Sequence, residues 1–175
     1  GAYTVRLKAC NYCGCDWENK TQYIRAGIPN LTFSPDVLVV PTNDTTEIEL
    51  FLEKAEDGLS GYDLKVFWAD SVHGNINEVE FPSWALNTSQ SALPDWFVDI
   101  KAVDLLNQVH PGDEEIELAE FYLEGNITTF QSTITLNVSV NELDDDLGNP
   151  IFTNNVPATI TVVRLLPFPG QSLPP

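Results

Sequence analysis

Three cysteines within six residues, Cys10-Asn11-Tyr12-Cys13-Gly14-Cys15, form the densest group of reactive side chains in this 175-residue chain. Thiols at this spacing can attach a haem, hold a metal or form disulfides. Haem attachment needs a histidine directly after the second cysteine of Cys-x-x-Cys, and Gly14 stands there. A zinc site needs about four ligands, and the chain's two histidines, His73 and His110, lie far from the cysteines. Disulfide chemistry by Cys10, Cys13 and Cys15 is the remaining reading. An odd cysteine count leaves one thiol over after a local bridge, either inert or able to join two chains covalently.

Carboxylates offer a second candidate centre. Asp144, Asp145 and Asp146, followed by Gly148 and Asn149, make an oxygen-rich loop of the kind that can hold calcium, or else a solvated acidic turn. The spacing is not that of an EF-hand, which alternates its ligands and ends on a distal glutamate. For catalysis there is no Gly-x-Ser-x-Gly elbow, no His-Glu-x-x-His and no glycine-rich phosphate loop. A glycosidase carboxylate pair is defined by separation in space, so spacing along the chain does not reveal one. The expectation is a non-catalytic protein with no cofactor beyond that calcium loop.

Modification chemistry is the strongest signal. Six Asn-x-Ser/Thr sequons begin at Asn19, Asn30, Asn43, Asn87, Asn126 and Asn137, which points to N-linked glycans and an extracellular or cell-surface location. The chain has no Met and opens at Gly1 without a basic, then apolar leader, as expected of a processed product. No apolar run approaches the roughly 20 residues that span a bilayer. Net charge is −18, divided as +2 over residues 1–25 and −20 over the rest. Such an acidic body repels nucleic acid and anionic lipid, so neither a nucleic-acid partner nor membrane insertion is expected. It attracts cations or a basic segment.

The elements that would position these groups are strands. Residues 3–8 alternate, with Tyr3, Val5 and Leu7 on one face and Thr4, Arg6 and Lys8 on the other. Residues 10–30 are polar without a clear period and read as a functional loop or linker. From Pro35 onward the pattern is all β. Ile48, Leu50 and Leu52 alternate with glutamates, and Tyr62, Leu64, Val66 and Trp68 share a face. Trp96, Val98 and Ile100 alternate, as do Ala119, Phe121 and Leu123; residues 133–140 alternate most cleanly, and a last strand covers about 158–165. Residues 103–109 offer one short helical turn. Turn signals between strands 8–20 residues apart indicate a β-sandwich. The domain reading is therefore an N-terminal strand arm and Cys-containing segment over 1–33, a sandwich over 34–165 and a Pro-rich, extended tail over 166–175.

The segments Ala55-Glu56-Asp57-Gly58-Leu59-Ser60-Gly61-Tyr62-Asp63-Leu64 and Val79-Glu80-Phe81-Pro82-Ser83-Trp84 follow one another in an informative order. Further on come Ile116-Glu117-Leu118-Ala119 and Leu143-Asp144-Asp145-Asp146-Leu147-Gly148-Asn149-Pro150-Ile151. Over roughly residues 34–165 this resembles the cohesin family of β-sandwich modules, found in cellulosome scaffolds and archaeal surface proteins. The resemblance implies a jelly-roll sandwich of about nine strands that binds proteins without catalysis. It also implies a dockerin-like partner lying on a sheet face that includes the eighth strand, which residues 133–140 match. A glycan on Asn137 would obstruct that face.

These readings converge on a glycosylated extracellular structural subunit of a surface layer, sheath or filament. Copies of the chain would join by strand addition through Tyr3, Val5 and Leu7, with Arg6 and Lys8 meeting an acidic neighbour and a disulfide locking the joint. The alternatives are a monomeric cohesin-type module for a dockerin-like partner and a carbohydrate-binding module using its tryptophans. Trp17 is the tryptophan freest to meet a partner, whereas Trp68 and Trp96 sit in core-facing periods.

Overall fold

The computed structural model describes residues 2–12, 14–25, 27–127 and 129–164. Their regular structure is all strand: β1 (Ala2–Asn11), β2 (Gly14–Arg25), β3 (Asn30–Ser34), β4 (Val37–Pro41), β5 (Thr45–Ala55), β6 (Gly61–Trp68), β7 (Gly74–Glu80), β8 (Asn87–Gln90), β9 (Phe97–Val103), β10 (Asp113–Gly125), β11 (Gln131–Asp144), β12 (Asn154–Asn155) and β13 (Ala158–Val163). A five-stranded sheet runs β12-β3-β5-β10-β7 and a six-stranded sheet runs β4-β13-β11-β6-β9-β8. Two strands break and switch sheets: β3 continues into β4 across Pro35, and β12 continues into β13. Counting each broken strand once gives the nine strands of a jelly-roll sandwich. Among the described residues no helix is long and apolar enough to cross a membrane.

Period-2 burial builds the core between the sheets. In β6 the residues Tyr62, Leu64, Val66 and Trp68 are buried while Asp63, Lys65 and Phe67 are half-buried on the other side. β5 contributes Ile48, Leu50 and Leu52, β9 contributes Val98, Ile100 and Ala102, and β10 contributes Phe121 and Leu123. Two polar groups entering this core are anchored: the Tyr62 hydroxyl donates to the Leu118 carbonyl at 2.5 Å, and Trp84 Nε1 donates to the Glu117 carbonyl at 2.9 Å. Gly58 explains part of the resemblance motif. Its φ is +81°, and a Cβ there would lie 1.9 Å from the Asp146 carboxylate, so a side chain is excluded twice over.

The N-terminal segment departs from expectation. Residues 10–30 are not a loop, because β2 occupies most of them and pairs antiparallel with β1 as a two-stranded sheet of its own. The arm is therefore one strand of a hairpin rather than a single ribbon. Cys10 and Cys15 face each other across the turn and are disulfide-bonded. Over residues 14–20 β2 shows no period because water reaches both its faces: these residues are all exposed, so nothing selects alternation. Cys13 and the Pro-rich tail lie outside the described residues, as does the side chain of Tyr3.

Two smaller readings also change. The sandwich begins with β3, whose Leu31 and Phe33 are buried, so the expected boundary at 34 falls at the end of a strand. Residues 103–109 form no helical turn. The Asp104 carboxylate accepts hydrogen bonds from the Leu106 and Val109 amides, giving the backbone a non-helical alternative.

Two substitutions test the core. Leu64→Ala in the fully buried centre of β6 should cost about 2–5 kcal/mol. Trp68 Nε1 is buried without a partner among the described residues. Trp68→Phe removes that unmet donor, so it should cost less than Leu64→Ala despite touching the larger side chain. Urea unfolding of both variants measures the difference, and a reversed order would contradict this account of Trp68.

Candidate protein-docking face

Burying one set of β6 side chains turns the other set outward, where the neighbouring strands continue three cross-strand rows. Asn137 of β11 lies beside Phe67 of β6, which lies beside Phe97 of β9. Ser139, Lys65 and Asp99 form the next row, and Glu142, Asp63, Lys101 and Ser89 the third. Lys65 Nζ sits 3.8 Å from the Phe97 ring centroid, a cation–π contact that holds charge over an aromatic face. Lys101 Nζ is 2.5 Å from the Asp63 carboxylate, which also accepts from Asn141 Nδ2 at 3.0 Å. The Lys101 hydrogen bond, and then that of Asn141, hold the Asp63 carboxyl below the usual range. The same pairing raises Lys101. This face combines two phenylalanines with fixed charges of both signs.

The sequon at Asn137 lies on this face. Asn137 Nδ2 donates to the Thr135 carbonyl at 3.3 Å and to Thr135 Oγ1 at 3.2 Å, and the side chain is half-buried. Asn30 is also half-buried, its Nδ2 donating to Glu53 at 2.8 Å, whereas Asn19, Asn43, Asn87 and Asn126 are exposed.

The five-stranded sheet presents a different surface. Glu120 of β10 stands opposite Glu49 of β5 and Glu80 of β7, and Tyr122 stands opposite Glu47 and Glu78. Like charges directly across strands repel. Burial first, then Glu49 and Glu120, push the Glu117 carboxyl up; burial and the flanking Glu47, Glu80 and Glu49 do the same to Glu120. Tyr122 is pushed up to about 12 by burial and then by Glu120 and Glu80.

The remaining candidates disperse. Among the described residues no group of three or more His, Cys, Asp or Glu side chains could hold a metal ion. Asp145 spends its carboxylate on its own loop, accepting from the Leu147 and Asn149 amides, and Asp146 accepts from the Asn107 amide at 2.8 Å. Within the Asp144–Asp146 run, Asp145 is thus held by its own loop and Asp146 by Asn107. His73 contacts Asp70 at 2.6 Å and His110 contacts Asp113 at 3.7 Å, each a local loop pair three residues apart. Of the tryptophans, Trp68 and Trp84 are buried, Trp96 is half-buried with its ring edge-on to Phe97, and Arg6 lies 3.9 Å over the exposed Trp17 ring with Lys8 at 4.8 Å.

Comparison with solved structures identifies the fold as that of cohesin modules. A type I cohesin–dockerin complex from Clostridium thermocellum contains a chain that aligns with TM-score 0.61 and 15% identity, over 81% of this chain and 100% of that one. The seventh ScaB type I cohesin of Pseudobacteroides cellulosolvens aligns with TM-score 0.62 and 13% identity, over 83% and 98%. A non-cellulosomal cohesin from the hyperthermophilic archaeon Archaeoglobus fulgidus aligns with TM-score 0.55 and 14% identity, over 77% and 91%. No protein-family model and no curated relative matches the sequence. This chain has the cohesin fold.

Two titrations follow from the two faces. Lys101→Ala removes the largest cause of the depressed Asp63 carboxyl, so its midpoint should rise toward the ordinary aspartate value while that of Asp70, held low by His73, stays put. Carboxyl carbon shifts followed by NMR against pH report both. The glutamates work in the opposite sense. Their raised values mean the folded state binds more protons than the unfolded chain between the ordinary and raised values, so stability falls as pH rises through that window. Glu120→Gln should flatten this slope in denaturant melts between pH 4 and 7, and an unchanged slope would contradict the assignment.

Proposed function

We propose that this chain is a non-catalytic, extracellular protein-binding module whose docking face is the outward side of β11, β6, β9 and β8. The observation that carries the reading is the set of cross-strand rows centred on Phe67, Phe97, Lys65 and the Asp63–Lys101 pair. Aromatic groups held among fixed charges give a partner both buried area and register. Cohesins of the same fold have been solved with dockerin partners, which supports a dockerin-like protein as the occupant. The resemblance at residues 133–140 implies docking on a face that includes the eighth strand, here within β11, which supports the same surface. The six sequons support a glycosylated protein at the cell surface.

A second reading, assembly of copies into a layer, sheath or filament, is favoured by one observation. The hairpin forms its own sheet, with Leu7, Tyr12 and Trp17 all exposed. The local Cys10–Cys15 bond leaves Cys13 as the cysteine that any interchain disulfide would have to use.

Capture of a dockerin-type probe on a biosensor tests the first reading. Phe97→Ala and Lys65→Ala should each weaken capture by about tenfold or more, as expected of residues central to an interface. In protein made by a glycosylating host, Asn137→Gln should restore capture that the glycan masks, whereas Asn126→Gln should not. Capture indifferent to Phe97 and Lys65 would move the interface elsewhere.

A further inference from the structure

The sandwich has four sheet ends, and three are blunted as free edges usually are. β7 carries Glu78 and Glu80, β8 is a four-residue polar strand holding the Asn87 sequon, and β12 is two residues long. β4 is the exception. Its sequence, Val-Leu-Val-Val-Pro, has no charge, and it ends the six-stranded sheet; among the described residues a bridge from Thr42 to Gly125 closes its far end and no strand pairs beside Val37–Val39. Leu38 and Val40 turn inward, leaving Val37 and Val39 exposed at 62% and 54%. The surface continues inward in two uncharged rows, Val37–Thr159–Thr135 and Val39–Thr161–Thr133. In a chain of net charge −18, a β-branched strip without charge, reaching an open edge, has the composition of an interface core.

The hairpin has the matching deficit. A two-stranded sheet is marginal in water until a third strand or an apolar face joins it, yet β1 pairs with β2 and with no other strand among the described residues. Leu7 is 61% exposed, and residues 1–25 carry +2 against −20 for the rest of the chain. We propose that the free edge of β1 from one copy pairs with the free edge of β4 in a second copy, extending the six-stranded sheet by the hairpin. Val5 and Leu7 then continue the rows begun by Val37 and Val39. Arg6 and Lys8, on the other face of β1, turn toward the carboxylate-rich body of the acceptor. Backbone hydrogen bonds supply the affinity and the apolar row supplies the register. The contact is head-to-tail, so it propagates unless its rotation closes a ring. It rests on the assembly reading above and adds the acceptor edge, whose rows meet the docking face only at β11.

The test is sedimentation velocity of the full chain over a concentration series, with thermal melts confirming that each variant is folded. Wild type should associate. Val39→Lys and Val37→Lys on the acceptor edge, and Leu7→Glu on the donor, should each weaken association by about tenfold or more, while Val39→Thr stays within about twofold. Mixing Val39→Lys with Leu7→Glu should yield a dimer that neither forms alone, because one keeps a working donor and the other a working acceptor. Association untouched by Val37→Lys and Val39→Lys would overturn the β4 assignment while leaving assembly standing. A wild type that stays monomeric throughout would overturn both.

Discussion

The alternation of β6 is the constraint on which the rest of the molecule depends. Tyr62, Leu64, Val66 and Trp68 are drawn inward by the removal of apolar surface from water, worth about 1.5–3 kcal/mol for each large aliphatic side chain. A strand has only two faces, so Asp63, Lys65 and Phe67 have no choice of direction. A slip of one residue would bury Asp63 and Lys65 and expose Trp68. Close approach then fixes the neighbours: a Cβ on Gly61 would lie 2.6 Å from the Ala102 carbonyl, so β6 and β9 run tightly together at that end. The rows of the docking face are thus by-products of core packing, and a change in the core registers on the surface.

The three outward surfaces differ because different forces are left unsatisfied on each. Opposed glutamates on the five-stranded sheet repel one another, and this costs stability that the core must offset. On the proposed docking half of the six-stranded sheet the charges are paired or stacked, as with Lys101 on Asp63 and Lys65 on Phe97, so the pattern is preorganised before any partner arrives. The β4 half has no charge to satisfy and an open row of backbone groups instead. Repulsion, pattern and open edge are three distinct chemistries on one small sandwich. A partner able to use one is poorly suited to the others.

What the sequence made legible follows the same physics. β5, β6, β10 and β11 were readable because each has one face in the core and one toward water, so their composition alternates. β2 lacked that asymmetry and was invisible, although Cys10 and Cys15 already marked its turn. β7 hid its alternation behind a register shift, with Ile76 and Val79 buried at an odd separation. The resemblance motif announced the fold, and Gly58 and Gly61 now have steric reasons for their places in it. The docking face was legible only in part. Asn137 and the outward side of its strand could be read, but the rows joining Phe67 to Phe97 and Asp63 to Lys101 depend on register between strands about thirty to forty residues apart, which spacing along the chain does not encode.

The position of Asn137 ties modification to binding. In the folded chain Asn137 pairs with Phe67 on the β6 side, and Thr135 holds its amide nitrogen. That nitrogen is the atom a glycan would occupy, replacing one of its two hydrogens, so attachment disturbs this hydrogen bonding in the finished protein but not in the unfolded chain. Glycosylation before folding is therefore the easier order, and it would commit a molecule early to a covered docking face. The β4 edge lies across β13 from β11, and no sequon asparagine stands in its two uncharged rows. A glycan at Asn137 would then separate the two binding roles, closing the face over β6 and β9 while leaving the open edge to the hairpin of another copy.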